Sequence, residues 1–280
     1  MRLHVKNLIE KLWILICCVI SAFPFIYVFL FSLQSKSSYQ INPFRFKLRS
    51  ITLDNYRKLL FEYNILWKIG SNTIIVVISC LISLLLSTAA AYAISQNMKS
   101  WYSYFILFVC VLIMFLPQQI TVIPEYIMYA KMNMINNYLS VILSYSSSEC
   151  CTMLFILLFC MLTLRTEILD AARLDGASEG KVLLLIVTPM IKSGVCVALT
   201  LSTVTLWNEL LIPMLFLPDN DLKTVSVSIN GLINRYNNNP PYQMAAIVIA
   251  MMPLLVLYFL GRKYLVGEII KSNGIVVKDK

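Results

Sequence analysis

Few side chains in this sequence could do chemistry, and the most telling are two glutamates set against apolar runs. Glu209 is the only charged residue between Ser193 and Leu217, and Glu149 directly precedes the run Cys150 to Leu164. A carboxylate carried into an apolar span is costly, so it marks a path for ions, protons or substrate, or sits where water is in reach. Glu209 lies 17 residues beyond Lys192, about 25 Å of helix at 1.5 Å per residue, and so near the far boundary of its span. Two readings stay open. With Asn208 and Pro213 loosening the helix around it, Glu209 belongs to a translocation path or its outer gate, or else it is an interfacial anchor. Glu149 reads similarly, at the outer start of its own span.

Other chemistries find little support. His4 is the only histidine, so no Ser/His/Asp or Cys/His arrangement is available, and no paired carboxylates suggest acid–base work. The eight cysteines lie in or beside apolar runs without a CxxC pair. They read as small membrane-buried side chains rather than metal ligands or a disulfide framework. Gly176-Ala-Ser-Glu-Gly180-Lys181 imitates a phosphate-binding loop, but it is one residue short between the glycines. Val182 replaces the hydroxyl residue, and no strand pattern precedes it. No catalytic residue, metal or cofactor is expected.

The elements that must position these residues are membrane helices. Hydrophobic residues make up 59% of the chain and charged ones 13%, with mean hydropathy +0.76, against about 25% charged in an ordinary soluble domain. The runs Leu12 to Ser35, Ile69 to Met98, Ser100 to Pro124, Cys150 to Leu164 and Tyr242 to Gly261 hold no Asp, Glu, Lys or Arg. Most reach the roughly 20 residues that cross a bilayer core. Cys150 to Leu164 becomes a short span when carried back to Ser147, and Ser193 to Leu217 adds the sixth. The first span, 12–34, is too long for a signal core and is followed by no small-residue cleavage site, so it reads as a retained anchor.

Basic residues near the span ends set the orientation. With the N-terminus inside, Lys11, Lys99, Arg165, Arg173, Lys181, Lys192, Arg262 and the basic residues of the tail (262–280) fall on the cytoplasmic side. The outer segments after the third and fifth spans hold only Lys131, Lys223 and Arg235. The segment between the first two spans is basic yet placed outside; it is long, and long loops obey the rule weakly. The net charge of +9 is spread over membrane flanks, which argues against a nucleic-acid partner. No cluster of acidic or basic side chains is expected deep in the spans, which suits an uncharged solute.

Between the apolar runs lies a polar stretch, 163–192, read as a cytoplasmic loop of two helices. Thr166 is a candidate N-cap, with Glu167 and Asp170 complementing the helix dipole in the first turn. Ile168, Ala171 and Ala172 should share one face, and two alanines there would let the helix lie close in another protein's groove. Gly176 suits the left-handed residue that closes a helix. Ser178 is a candidate cap for the second helix, and Pro189 should kink or delimit it.

Asp170-Ala171-Ala172, Gly176, Ile186 and Pro189 fall on the spacing E-A-A-x3-G-x9-I-x-L-P, with Asp170 and Thr188 departing from it. That spacing resembles the EAA loop of ABC importer membrane subunits. Trp207-Asn208-Glu209-Leu210-Leu211-Ile212-Pro213 is similar to the W-N-[ED]-F-L-x-P stretch of carbohydrate permeases. Leu116-Pro117-Gln118-Gln119 with Ile123-Pro124 resembles the third-span ending of that family, and Thr52-Leu-Asp-Asn-Tyr56 with Ser71-Asn72-Thr73 its lead into the second. Gly274 to Lys278 loosely resembles its tail. The whole is most similar to the smaller six-span partner of the maltose-type branch.

The resemblance implies an all-α integral membrane protein with the type I ABC importer permease fold, whose 163–192 loop is the coupling helix. It implies ATPase subunits that clasp that loop, a second permease of different sequence, an extracytoplasmic solute-binding protein and a carbohydrate substrate, in a bacterial or archaeal cell membrane. Asn72, Gln118, Gln119, Thr205 and Asn208 are candidate sugar partners. A permease for another solute class, or an ion-coupled secondary transporter, are the alternatives.

Overall fold

The computed structural model describes residues 2–43, 45–235 and 239–272. Asn238, expected outside the membrane, and the tail stretch Gly274 to Lys278 lie outside the described residues. Among the described residues the chain is helical, relieved by one isolated bridge between Gln34 and Ile51. The long elements are α1 (Arg2–Ser32), α2 (Ile65–Gln96), α3 (Trp101–Phe115), α4 (Gln118–Lys131), α5 (Tyr138–Leu162), α6 (Thr166–Leu174), α7 (Lys192–Asn208), α8 (Leu211–Phe216), α9 (Val225–Arg235) and α10 (Pro240–Ser272). Lipid offers the backbone no hydrogen bonds, so an apolar run must satisfy its own, and the helix does this within one segment.

Among the described residues four stretches are unbroken helices of membrane-crossing length and apolarity: Glu10–Ser32, Ile65–Gln96, Tyr138–Leu162 and Pro240–Arg262. Two more spans arise where each sharply bent helix pair counts as one, α3 with α4 at 97° and Glu179–Met190 with α7 at 79°. The third apolar run therefore does not continue as one helix to Pro124. It stops at Phe115, because the residue before a proline is pushed out of the helical region: Leu116 and Pro117 are both extended, at ψ 122° and 132°. The fourth span is longer than its uncharged run, starting at Tyr138 under an N-cap in which the Asn137 side chain accepts from the Leu139 N–H at 2.9 Å. Glu149 consequently sits in the middle of α5 and not at its outer start.

The described residues form two compact units, one within 1–67 and 228–252, the other within 68–227 and 253–280. In the first, the end of α1 is tied to the segment that follows it. Asn55 donates from Nδ2 to the carbonyls of Ser32 and Gln34, both at 2.9 Å, and the Tyr56 hydroxyl meets Ser32 Oγ at 2.6 Å. Thr52-Leu-Asp-Asn-Tyr56 is thus a structural clasp.

In the second unit α5 is the central helix, with thirteen of its 25 residues buried. A ladder of hydroxyls joins it to α2: Ser79, Ser83 and Ser87 donate to the carbonyls of Ile142, Ser146 and Cys150 at 3.3, 2.8 and 2.8 Å. Steps of four residues on both helices keep one face against the other, and the common direction of the steps makes the two helices parallel. Small side chains allow this approach in lipid, where apolar burial alone does not drive association. Further along α5, Gly194 of α7 lies so close to Cys160 that a Cβ would fall 2.4 Å from its Sγ.

Candidate functional site

The loop beyond α5 is built by end-chemistry of its helices. Thr166 is the first residue of α6 rather than its cap; Arg165 holds the cap position, and no side chain caps there. At the other end Gly176 adopts φ +83°. The Gly176 N–H donates to the Arg173 carbonyl and the Ala177 N–H to that of Ala172, both at 3.0 Å. This is the paired closure that a left-handed glycine permits. Ser178 occupies the cap position of the next helix without a side-chain cap bond.

The two alanines part company. Ala172 packs with Ala177, Leu183 and Ile186 against a core of Tyr92, Leu157, Leu169 and Val187, while Ala171 is exposed. The outward apolar face is instead Ile168, Ala171 and Leu174, at helical spacing, with Leu174 89% exposed. Pro189 is exposed near the end of an irregular helix, beyond a π-type turn at Val182–Val187. Its ring displaces a preceding carbonyl, and Thr188 Oγ1 donates 2.8 Å to the Leu183 carbonyl before the chain turns into α7.

Arg173 binds this loop to α2. Its Nε donates to Glu179 Oε1 at 2.9 Å, one Nη to Asp170 Oδ1 at 3.0 Å and the other to Gln96 Oε1 at 2.7 Å. The Tyr92 hydroxyl accepts from Arg173 at 3.3 Å and donates to Glu179 Oε2. The Arg173 guanidinium and then the Tyr92 hydroxyl hold Glu179 below the usual carboxylate range, and Glu179 in turn raises Arg173. α2 explains the geometry: its 32 residues span about 48 Å, well beyond a 30 Å core, so its last turn stands out to meet the loop. Spacing along the sequence singles out Asp170, Ala171, Ala172, Gly176, Ile186 and Pro189 for this loop, but not the clamp of Arg173, Tyr92 and Gln96. The signal for the last two lay in α2 being far longer than a bilayer requires.

A second site is a cavity of about 420 Å³ bounded by α3, α4, α5 and α7. Glu209 lines it, where α7 ends and the backbone becomes extended at ψ 132°. Its Oε1 accepts from the N–H groups of Leu211 and Ile212 at 2.8 and 3.3 Å, which caps α8. Glu149 and Glu125 line the same cavity, where Glu149 accepts from Ser202 Oγ and Glu125 from Ser144 Oγ. The expectation of spans free of any charged cluster is therefore corrected: three carboxylates converge, because the break at Pro117 turns α4 towards α5. Gln118 and Thr205 also line this cavity. Asn208 does not, since its amide donates 2.7 Å to the Val204 carbonyl of its own helix, and Pro213 is buried in α8. Trp207 is 5% exposed, so it packs inside the unit.

A family model described as a binding-protein-dependent transport system inner membrane component matches residues 82–271. The chain is 26% identical over 251 residues to the arabinooligosaccharides transport system permease protein of Halalkalibacterium halodurans, covering 89% of each. It is 27% identical over 251 residues to the multiple sugar-binding transport system permease protein of Streptococcus mutans, covering 89% of this chain and 90% of that one. The sn-glycerol-3-phosphate transport system permease protein of Brucella abortus is 23% identical over 282 residues, covering 96% and 98%. Among solved structures, a bacterial ABC transporter involved in import of the acidic polysaccharide alginate matches with a TM-score of 0.79. Identity there is 16%, over 94% of this chain and 97% of that one. The alginate transporter in complex with an alginate pentasaccharide-bound periplasmic protein matches at 0.62 and 14% identity, over 98% and 99%. These likenesses establish the fold, that of type I ABC importer permeases.

Proposed function

We infer the role of this chain from its family: it belongs to the binding-protein-dependent transport system inner membrane components, and we propose that it is a permease subunit of an ATP-driven ABC importer for a carbohydrate. The observation that carries the proposal is the loop of Asp170, Ala171, Ala172, Gly176, Ile186 and Pro189. Its left-handed closure at Gly176 and its clamp to the end of α2 suit a rigid lever. A nucleotide-binding subunit clasps the outward face of Ile168, Ala171 and Leu174. Closure of two such subunits on ATP moves the loop, and Arg173 passes the displacement to α2 through Gln96 and Tyr92. Hydrolysis belongs to the partner; this chain supplies the bistable spans and the path, of which the cavity at Glu209 is part.

A second permease of different sequence completes the path, and an extracytoplasmic binding protein delivers the sugar to its outer mouth. Both termini and the loop face the cytoplasm. Support for a carbohydrate comes from relatives named for arabinooligosaccharides and multiple sugars and from Trp207 to Pro213. Glu149, in mid-helix, would be compatible with an ion-coupled carrier; family membership speaks against one. The test is uptake of labelled solutes of several classes by cells lacking this chain. Loss of oligosaccharide import is expected. Loss of amino-acid or phosphate import with all sugar import intact would replace the carbohydrate by another solute.

A further inference from the structure

The cavity at the end of α7 has a property that bears on what passes through it. Glu125, Glu149 and Glu209 line it from α4, from the middle of α5 and from the end of α7, and among the described residues no Lys, Arg or His does. The remaining polar lining consists of one amide, Gln118, and hydroxyls such as Ser148 and Thr205. These groups are held in place, since each carboxylate already accepts from a hydroxyl or backbone N–H of the same unit. About 420 Å³ is room for a sugar residue of the size that binding clefts commonly enclose.

We propose that this cavity selects its substrate by charge: it admits an uncharged polyhydroxyl solute and repels one bearing a carboxylate or phosphate. The proposal rests on the permease reading above and adds the substrate's charge class to it. Carboxylate oxygens only accept, and sugar hydroxyls donate, so the free lone pairs of Glu125 and Glu209, both partly exposed, offer charge-assisted hydrogen bonds to ring hydroxyls. An anionic group entering the same space meets like charge, with no basic side chain among the described residues that this chain gives to the lining. Import of an acidic polysaccharide, as described for the transporter that shares this fold, would need a different lining at this position.

The test uses the complete transporter, with its partner permease, ATPase subunits and binding protein, so that the path opens during turnover. Native cysteines are replaced and Ser148, exposed on the cavity wall, becomes the probe as Ser148→Cys. Its reaction with a positively charged methanethiosulfonate is compared with that of a negatively charged one, each relative to a free thiol in solution. The expected result is a cationic preference of about tenfold or more, as unit charges within several ångströms produce in a partly buried site. It shrinks with added salt and collapses in the triple variant Glu125→Gln, Glu149→Gln, Glu209→Gln, whose amides keep an acceptor oxygen. Should that variant fail to assemble, Glu125→Gln alone must still reduce the preference. Equal reaction with both reagents would overturn the charge selection and leave the path intact. Reaction with neither, in any state of turnover, would overturn the path and the selection with it. Transport of a uronate or sugar phosphate as fast as its neutral parent, per loaded binding protein, would overturn the selection as well.

Discussion

At Gly176 the backbone stands at φ +83°, while a Cβ there would meet nothing within 4 Å. The cost of a side chain is therefore conformational, about 1–2 kcal/mol for an L residue in the left-handed region and more for a β-branched one. Gly176→Val should leave the protein in the membrane and lower sugar uptake per ATP hydrolysed, while Gly176→Asn, which tolerates this conformation, should retain most of it. Normal coupling in the valine variant, measured as uptake against hydrolysis in proteoliposomes, would remove the lever from the mechanism. Arg173 is the second residue with a sharp expectation. Glu179 is held low by Arg173 and Tyr92, so its contribution is complete above the ordinary carboxylate value of 4.5 and is lost as pH falls through its depressed folded-state value. Loop protection, read as hydrogen exchange of the amides from 173 to 179, should decline in acid. Glu179→Gln should start lower and show a flatter acid limb.

Two packed helix pairs determine how the second unit holds together. The Ser79, Ser83 and Ser87 ladder gives α2 and α5 a parallel register, and each interhelical hydrogen bond in lipid is worth about 0.6 kcal/mol, rarely above 1.7. Ser83→Ala should therefore lower the unfolding midpoint of detergent-purified protein only slightly, and the Ser79, Ser83, Ser87 triple alanine variant roughly additively. Gly194 carries a larger penalty, because a Cβ would meet both Sγ and, at 3.1 Å, Cβ of Cys160. Overpacking of this kind costs about 1–3 kcal/mol. Gly194→Val should lower that midpoint, and Cys160→Ala should restore part of it. No rescue would mean that α5 and α7 are not pressed together at this point. The ladder also explains why Tyr92 and Gln96 of α2 reach the loop that follows α5: parallel helices end on the same side.

For the whole molecule, the orientation argued from Lys and Arg gives a direct expectation. In a cysteine-depleted variant, a cysteine at Ser178 should react only with permeant reagents, and cysteines at Lys47 and Asn238 with impermeant ones. Protection of position 47 from impermeant reagents would invert the first loop. The parallel course of α2 and α5 requires an odd number of crossings between them, which the bent pair of α3 and α4 supplies. Lys99 and Arg165, just beyond the ends of these two helices, accordingly share one side, as the charge pattern expects.

Composition alone required a membrane protein, since uncharged runs of this length have no other stable solvent; counting them gives six, where the structure has four unbroken helices and two bent pairs. The spacing from Asp170 to Pro189 was equally legible, because helix closure at Gly176 and the break near Pro189 are local backbone effects encoded by single residues. What remained hidden depends on chain segments distant in sequence. Glu149 and Glu209 looked like isolated boundary charges until the break at Pro117 and the length of α5 brought them, with Glu125, to one cavity. Ala171 and Ala172 looked equivalent until the core around Leu169 drew one inward and left the other exposed. Arg173 looked like one more positive flank, and only the overhang of α2 supplies it with Tyr92 and Gln96. Local conformation is dictated by neighbouring residues, whereas convergence is dictated by where helices bend, end and pack, and that is settled only when all of them are in place.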